Sequence, residues 1–141
     1  MNLKKSNNMK YALYILLALC TTACSKDDKS DCPSDLACTE IFVSIGAKVQ
    51  NSKNEDILLS KTTTQIEGKT NIITKTNFDP VYSYYVILDD SSLEELNKEG
   101  STVTFKGYDT NNQLLFTEKF TIGHDCCHVV KLSGKDSILV N

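Results

Sequence analysis

Glu40-Ile41-Phe42-Val43-Ser44-Ile45-Gly46-Ala47-Lys48-Val49 is the stretch on which the fold turns: Ile41, Val43, Ile45, Ala47 and Val49 alternate with Phe42, Ser44, Gly46 and Lys48. Successive side chains of a strand point to opposite faces, so period two predicts a strand with one face in a core. Downstream, Asn51-Ser52-Lys53-Asn54-Glu55-Asp56 is a turn cluster. Ile57 to Lys61, and then Thr62 to Thr76 around Gly68, predict further strands. Val81-Tyr82-Ser83-Tyr84-Tyr85-Val86-Ile87-Leu88 is almost wholly β-branched or aromatic, so both its faces should be partly covered.

One short helix is predicted near 91–99. Ser91 and Glu94 have capping-box spacing, Leu93 and Leu96 share a face, and Gly100 can stop the helix. Thr102 to Tyr108 and Leu114 to Ile122 flank Asp109-Thr110-Asn111-Asn112-Gln113, whose asparagines tolerate a turn's positive φ. Cys127 to Leu132 and Ser137 to Val140 complete the set. Short strands at turn-bounded intervals predict an all-β chain, an antiparallel β-sandwich of about seven strands, rather than βαβ units. The order of strands, helix and late hairpin resembles the transthyretin-like and carboxypeptidase-regulatory-like sandwiches of secreted bacterial proteins, over roughly Thr39 to Val140. An immunoglobulin-like topology is the rival.

The chain has 141 residues, 40% of them hydrophobic and 23% charged, which implies a single core. All 15 basic residues are lysine. Without arginine, the planar fork that best grips phosphates and carboxylates is missing. The formal charge is −3, and removing residues 1–23, with three lysines and no acid, lowers it to −6. Nucleic acid is therefore a poor partner.

Upstream, residues 1–10 carry Lys4, Lys5 and Lys10 and precede the apolar run Tyr11 to Cys20. That is the layout of a secretory signal. The run spans only about 15 Å as a helix, roughly half a bilayer's hydrocarbon core. It ends in Thr21-Thr22-Ala23-Cys24, which resembles the lipobox of bacterial lipoproteins. The resemblance implies a signal peptide over 1–23 and Cys24 as a lipidated N-terminus. Ser25-Lys26-Asp27-Asp28-Lys29-Ser30-Asp31 has no apolar residue and reads as a flexible tether within 24–38, with the sandwich over 39–141. Its lysine and paired aspartates resemble the acidic signal that sends some lipoproteins to the outer face of the outer membrane.

Cys32, Cys38, Cys126 and Cys127 remain in the mature part, and an exported chain meets an oxidising compartment, so disulfides are expected. Bonding the neighbours Cys126 and Cys127 to each other would strain a small ring. Two crossed pairings with Cys32 and Cys38 remain open. If Cys126 and Cys127 lie on a strand they face opposite ways and reach different partners. Each bond would close a loop of nearly a hundred residues, worth about 4 to 5 kcal/mol.

The same region, His124-Asp125-Cys126-Cys127-His128, holds both histidines of the chain, and His124, Cys126, Cys127 and His128 are candidate zinc or copper ligands. No cofactor is required by any motif. A Cys/His nucleophile needs a free thiolate in electropositive surroundings, whereas these cysteines sit beside Asp125. Asp89 and Asp90 precede the helix and suit its positive end or a calcium corner. Tyr82, Tyr84, Tyr85 and Tyr108 are candidates for a sugar- or peptide-binding face. The expectation is a non-enzymatic module anchored to the outer membrane by its N-terminal lipid and exposed at the cell surface, with a protein or glycan partner. The alternative is an envelope metal-binding protein.

Overall fold

A computed structural model describes residues 32–78 and 84–141. The predicted signal segment, the Cys24 lipidation site, the tether up to Asp31 and the 81–83 part of the aromatic stretch lie outside the described residues. Among the described residues eight strands form two sheets: β1 (Ser44–Asn51), β2 (Lys61–Ile66), β3 (Ile72–Thr76), β4 (Tyr84–Asp89), β5 (Ser101–Tyr108), β6 (Leu114–His124), β7 (Val129–Ser133) and β8 (Ser137–Val140). One sheet has the order β4-β1-β8, the other β3-β2-β5-β6-β7. The chain is an all-β sandwich, as its periodicity implies. Every pairing is antiparallel except β1 with β8, which run parallel because β8 crosses over from the larger sheet.

The core lies between the sheets. Ile45, Ala47 and Val49 of β1, with Tyr85, Ile87 and Ile138, face Val103, Phe105, Phe120 and Ile122 of the larger sheet. The alternation of β1 is therefore real, but it begins later than the sequence implies, because Ile41 and Phe42 are 68% and 65% exposed. Val43 exchanges backbone and side-chain hydrogen bonds with Asp90 instead of joining the ladder, and the chain before it turns away toward Cys38. Gly46 sits at a register shift in β1, where an added Cβ would lie 2.5 Å from the Tyr85 carbonyl oxygen and 2.6 Å from the Tyr84 ring.

Ile57 to Ser60 is no strand; it carries the chain from β1 in one sheet to β2 in the other. Its backbone polar groups find other partners. The buried Tyr85 hydroxyl accepts from Leu59 N at 2.9 Å and donates to the Ile57 carbonyl at 2.8 Å, while Ser60 N donates to the Tyr108 carbonyl. Burial raises the Tyr85 pKa, so the hydroxyl keeps the proton it donates.

The predicted helix is shorter than 91–99. It is a 3-10 helix over Asp90–Glu95, capped by Asp89 rather than built on a Ser91–Glu94 box. The Asp89 carboxylate accepts from Ser91 N and from the Ser91 hydroxyl, so Asp89 is the cap and Ser91 lies within the helix. Leu96 N closes the element on Leu93, and Gly100, at φ +117, turns the chain into β5. Among the described residues no helix is long and apolar enough to cross a membrane.

Tyr85→Phe keeps the ring but orphans the Leu59 amide and the Ile57 carbonyl. An unsatisfied buried group costs about 1 to 3 kcal/mol. Urea denaturation of the variant should show a loss in that range, and an unchanged midpoint would mean the hydroxyl has no such role.

Candidate functional site

The motif His124-Asp125-Cys126-Cys127-His128 closes the β6–β7 hairpin. The two cysteines are thus the middle of a turn, not the start of a strand as the sequence suggests. Asp125 N donates to the His128 carbonyl across the turn, and the Asp125 carboxylate accepts from Cys127 N at 2.9 Å and His128 N at 2.7 Å. Those two amides hold its carboxyl below the usual range. Cys126 takes φ +81, a region that costs a residue with a Cβ energy, and its N–H donates to His124 Nδ1 at 3.1 Å.

Of the two crossed pairings, the structure forms Cys32–Cys126 and Cys38–Cys127, with Cα separations of 5.6 and 5.3 Å. The cysteines reach separate partners because the turn splays them, not through strand alternation. Both bonds join the same two segments. Once one has closed the long loop, the other closes only a ring of about nine residues, worth about 2.6 kcal/mol rather than 4 to 5.

The turn holds a second connection, and sequence reading missed two of its members. Asp90, which follows β4, accepts from Val43 N at 2.8 Å and Val129 N at 2.9 Å, and its Oδ2 lies 2.9 Å from His128 Nδ1. His128 Nε2 in turn lies 2.9 Å from Thr39 Oγ1. Burial pushes the Asp90 carboxyl up, but its hydrogen bonds from Val43, His128 and Val129 outweigh that and hold it below the ordinary value. An ionised carboxylate only accepts, so Nδ1 carries a hydrogen; in the neutral ring Nε2 is then the acceptor, and the Thr39 hydroxyl donates to it. Asp90 and the imidazole are largely enclosed, at 13% and 18% side-chain exposure, whereas Thr39 is open to solvent. The partners lie 38 and 89 residues from His128 in sequence, so no local spacing signals them.

The four metal candidates are divided by this arrangement. His124 is buried and Cys126 lies near it; with Cys32 they place three potential ligand atoms within 4.8 Å of one another. Cys127 is bonded to Cys38, and His128 is held between Asp90 and Thr39. Two of the three clustered groups are the sulfurs of one disulfide, which offers no thiolate. Nor do Asp89 and Asp90 form a shared calcium corner. Asp89 turns to Lys75, 3.2 Å away, and to Ser91, while Asp90 turns to Val43, Val129 and His128. Tyr82 lies outside the described residues, and the other three candidate tyrosines do not share a face: Tyr85 is core, Tyr84 covers Gly46 on one sheet, and Tyr108 lies beneath the Lys61 ammonium on the other.

Two measurements follow from this geometry. Replacing either cysteine pair by serine should cost about 2 to 3 kcal/mol, and replacing both about 7 kcal/mol, more than twice the single loss. Equal and additive losses in chemical denaturation would show that the bonds act independently. The second concerns acid. Because the folded pKa of Asp90 is depressed, its stabilisation is present above the unfolded value of about 4 and is lost as pH falls through the folded one. Asp90→Asn should therefore lower Tm at neutral pH and flatten its fall below about pH 5. An acid limb as steep as in the parent chain would contradict the assignment.

No known family model, curated protein or solved structure matches the chain.

Proposed function

We propose that this chain is a lipid-anchored module of the bacterial outer envelope, exposed at the cell surface, that serves as a binding, adhesion or structural unit without turnover chemistry. The observation that carries the reading is the pair of disulfides fastening the segment from Cys32 to Cys38 onto the β6–β7 turn. Such bonds persist in oxidising compartments outside the cytosol. They agree with the export segment and with the lipobox resemblance at Cys24. The transthyretin-like resemblance rests on element order alone and adds no ligand to this reading.

Anchoring at Cys24 also limits how far the domain lies from the bilayer. Eight residue steps separate it from Cys32, which allow at most about 29 Å of extended chain. The disulfide end of the sandwich is then the tethered end. The opposite end carries the polar turns over 51–56 and 109–113, where Asn54 and Asn112 take positive φ and Lys61 Nζ donates to Asn112 Oδ1. Those turns lie at the end opposite the tether, and we assign them as the surface offered to a protein or glycan.

Intact mass of the protein taken from its native membrane, with and without reductant before alkylation, tests the reading. The expected result is acyl chains on Cys24 and four cysteines that alkylate only after reduction, with Cys24→Ala releasing the protein from the membrane. An unmodified Cys24 or four free thiols would sink it. The second reading, metal binding, is favoured only by the juxtaposition of Cys32, His124 and Cys126 and requires their disulfide to be open. Stoichiometric zinc in the purified protein, together with free Cys32 and Cys126, would select it.

A further inference from the structure

Thr39, His128 and Asp90 stand in the order hydroxyl, imidazole, carboxylate, with both links at 2.9 Å. The carboxylate meets Nδ1 and the hydroxyl meets Nε2, the arrangement in which a ring nitrogen can take the hydroxyl proton while the acid fixes the tautomer. Two features go beyond the distances. Asp90 is held in place by two backbone N–H groups from different parts of the chain, Val43 and Val129, so it cannot swing away from the ring. Thr39 follows Cys38 directly and His128 follows Cys127 directly, and Cys38 is bonded to Cys127. Nucleophile and base are thus each one residue from the same covalent cross-link, which sets their separation in advance.

We propose that Thr39 is an acyl-acceptor site, modified by activated esters and thioesters with His128 as general base and Asp90 as the residue that positions it. Thr39 Oγ1 attacks the donor's carbonyl carbon and forms a C–O bond, and its proton passes to His128 Nε2. The tetrahedral adduct then expels the alkoxide or thiolate, which recovers the proton from the imidazolium. The products are a Thr39 ester and a free alcohol or thiol, so nothing is oxidised or reduced. The donor class follows from what surrounds the hydroxyl. Thr39 is exposed and meets its donor from solvent, and the chain has no arginine to hold a carboxylate or phosphate in place. A proton acceptor alone contributes about 100- to 10,000-fold, which suits good leaving groups rather than amides. This is a modification of the chain itself and stands apart from the binding role proposed above.

The test uses the disulfide-intact protein and p-nitrophenyl acetate, with the acetylated positions mapped by peptide mass spectrometry. Thr39 should acetylate about 100-fold faster than the exposed Thr74 and Thr110 of the same molecule, a comparison that needs no variant. Thr39→Ser should retain the modification at 39 and Thr39→Val should abolish it. His128→Gln should slow it about 100-fold with the Cys32–Cys126 bond still closed. Opening only the neighbouring cross-link, by Cys38→Ser with Cys127→Ser, should also slow it, although every group of the relay remains. Acetylation of Thr39 no faster than of Thr74 and Thr110, or an unchanged rate in a folded His128→Gln variant, would overturn the proposal.

Discussion

The carboxylate of Asp90 accepts hydrogen bonds from Val43 ahead of β1, from Val129 at the start of β7 and from His128 in the turn before it. β1 belongs to the smaller sheet and β7 to the larger, so one side chain ties the two layers together at the end where the disulfides lie. The apolar core holds the sheets face to face but is indifferent to small sliding between them, because burial is not directional. Three hydrogen bonds to a single fixed anion are directional, and charged acceptors make stronger ones. The turn geometry, the position of Thr39 and the course of the chain before β1 all depend on where this anion sits.

Much of the sandwich was legible because its cause is local. The alternation from Ile45 to Val49 and the aromatic, β-branched run through Tyr85 and Ile87 each need only a pleated backbone with one covered face. The asparagine-rich hairpin at 109–113 forms where its composition places it, with Asn112 at φ +61. Errors arose where a distant group overrode local preference. Ile57 to Ser60 has the composition of a strand, yet the Tyr85 hydroxyl supplies partners for its backbone and frees it to cross between layers. Ser91 has the spacing of a cap, yet Asp89 caps the element two residues earlier by accepting from the Ser91 amide, which places Ser91 inside the helix.

The candidate site divides in the same way. Composition alone singled out the histidine and cysteine cluster and the crossed character of its bonds, since adjacent cysteines exclude each other as partners. The choice between the two crossed patterns depends on a turn that sets Cys126 at a positive φ, and nothing in the neighbouring residue types announces that. Thr39 and Asp90 were invisible as members of the site. Asp90 resembles any acid placed before a helix, and its function is decided by a histidine 38 residues later.

Why the chain uses two bonds between the same two segments can be argued from geometry. A single disulfide closes the long loop but leaves the segment from Cys32 to Cys38 able to pivot about one point. The second bond adds less loop entropy, about 2.6 kcal/mol, yet it removes the pivot. With both closed, the backbone beside Cys38 has one orientation relative to the backbone beside Cys127, and Thr39 and His128 inherit it. A hydrogen bond between an exposed threonine and a partly buried histidine would otherwise contribute little net stability and exchange freely with water. The covalent frame makes it persistent, and the three-bonded Asp90 keeps the ring turned toward it. Two cross-links that overlap in closing the chain are thus complementary in fixing a hydroxyl against an imidazole.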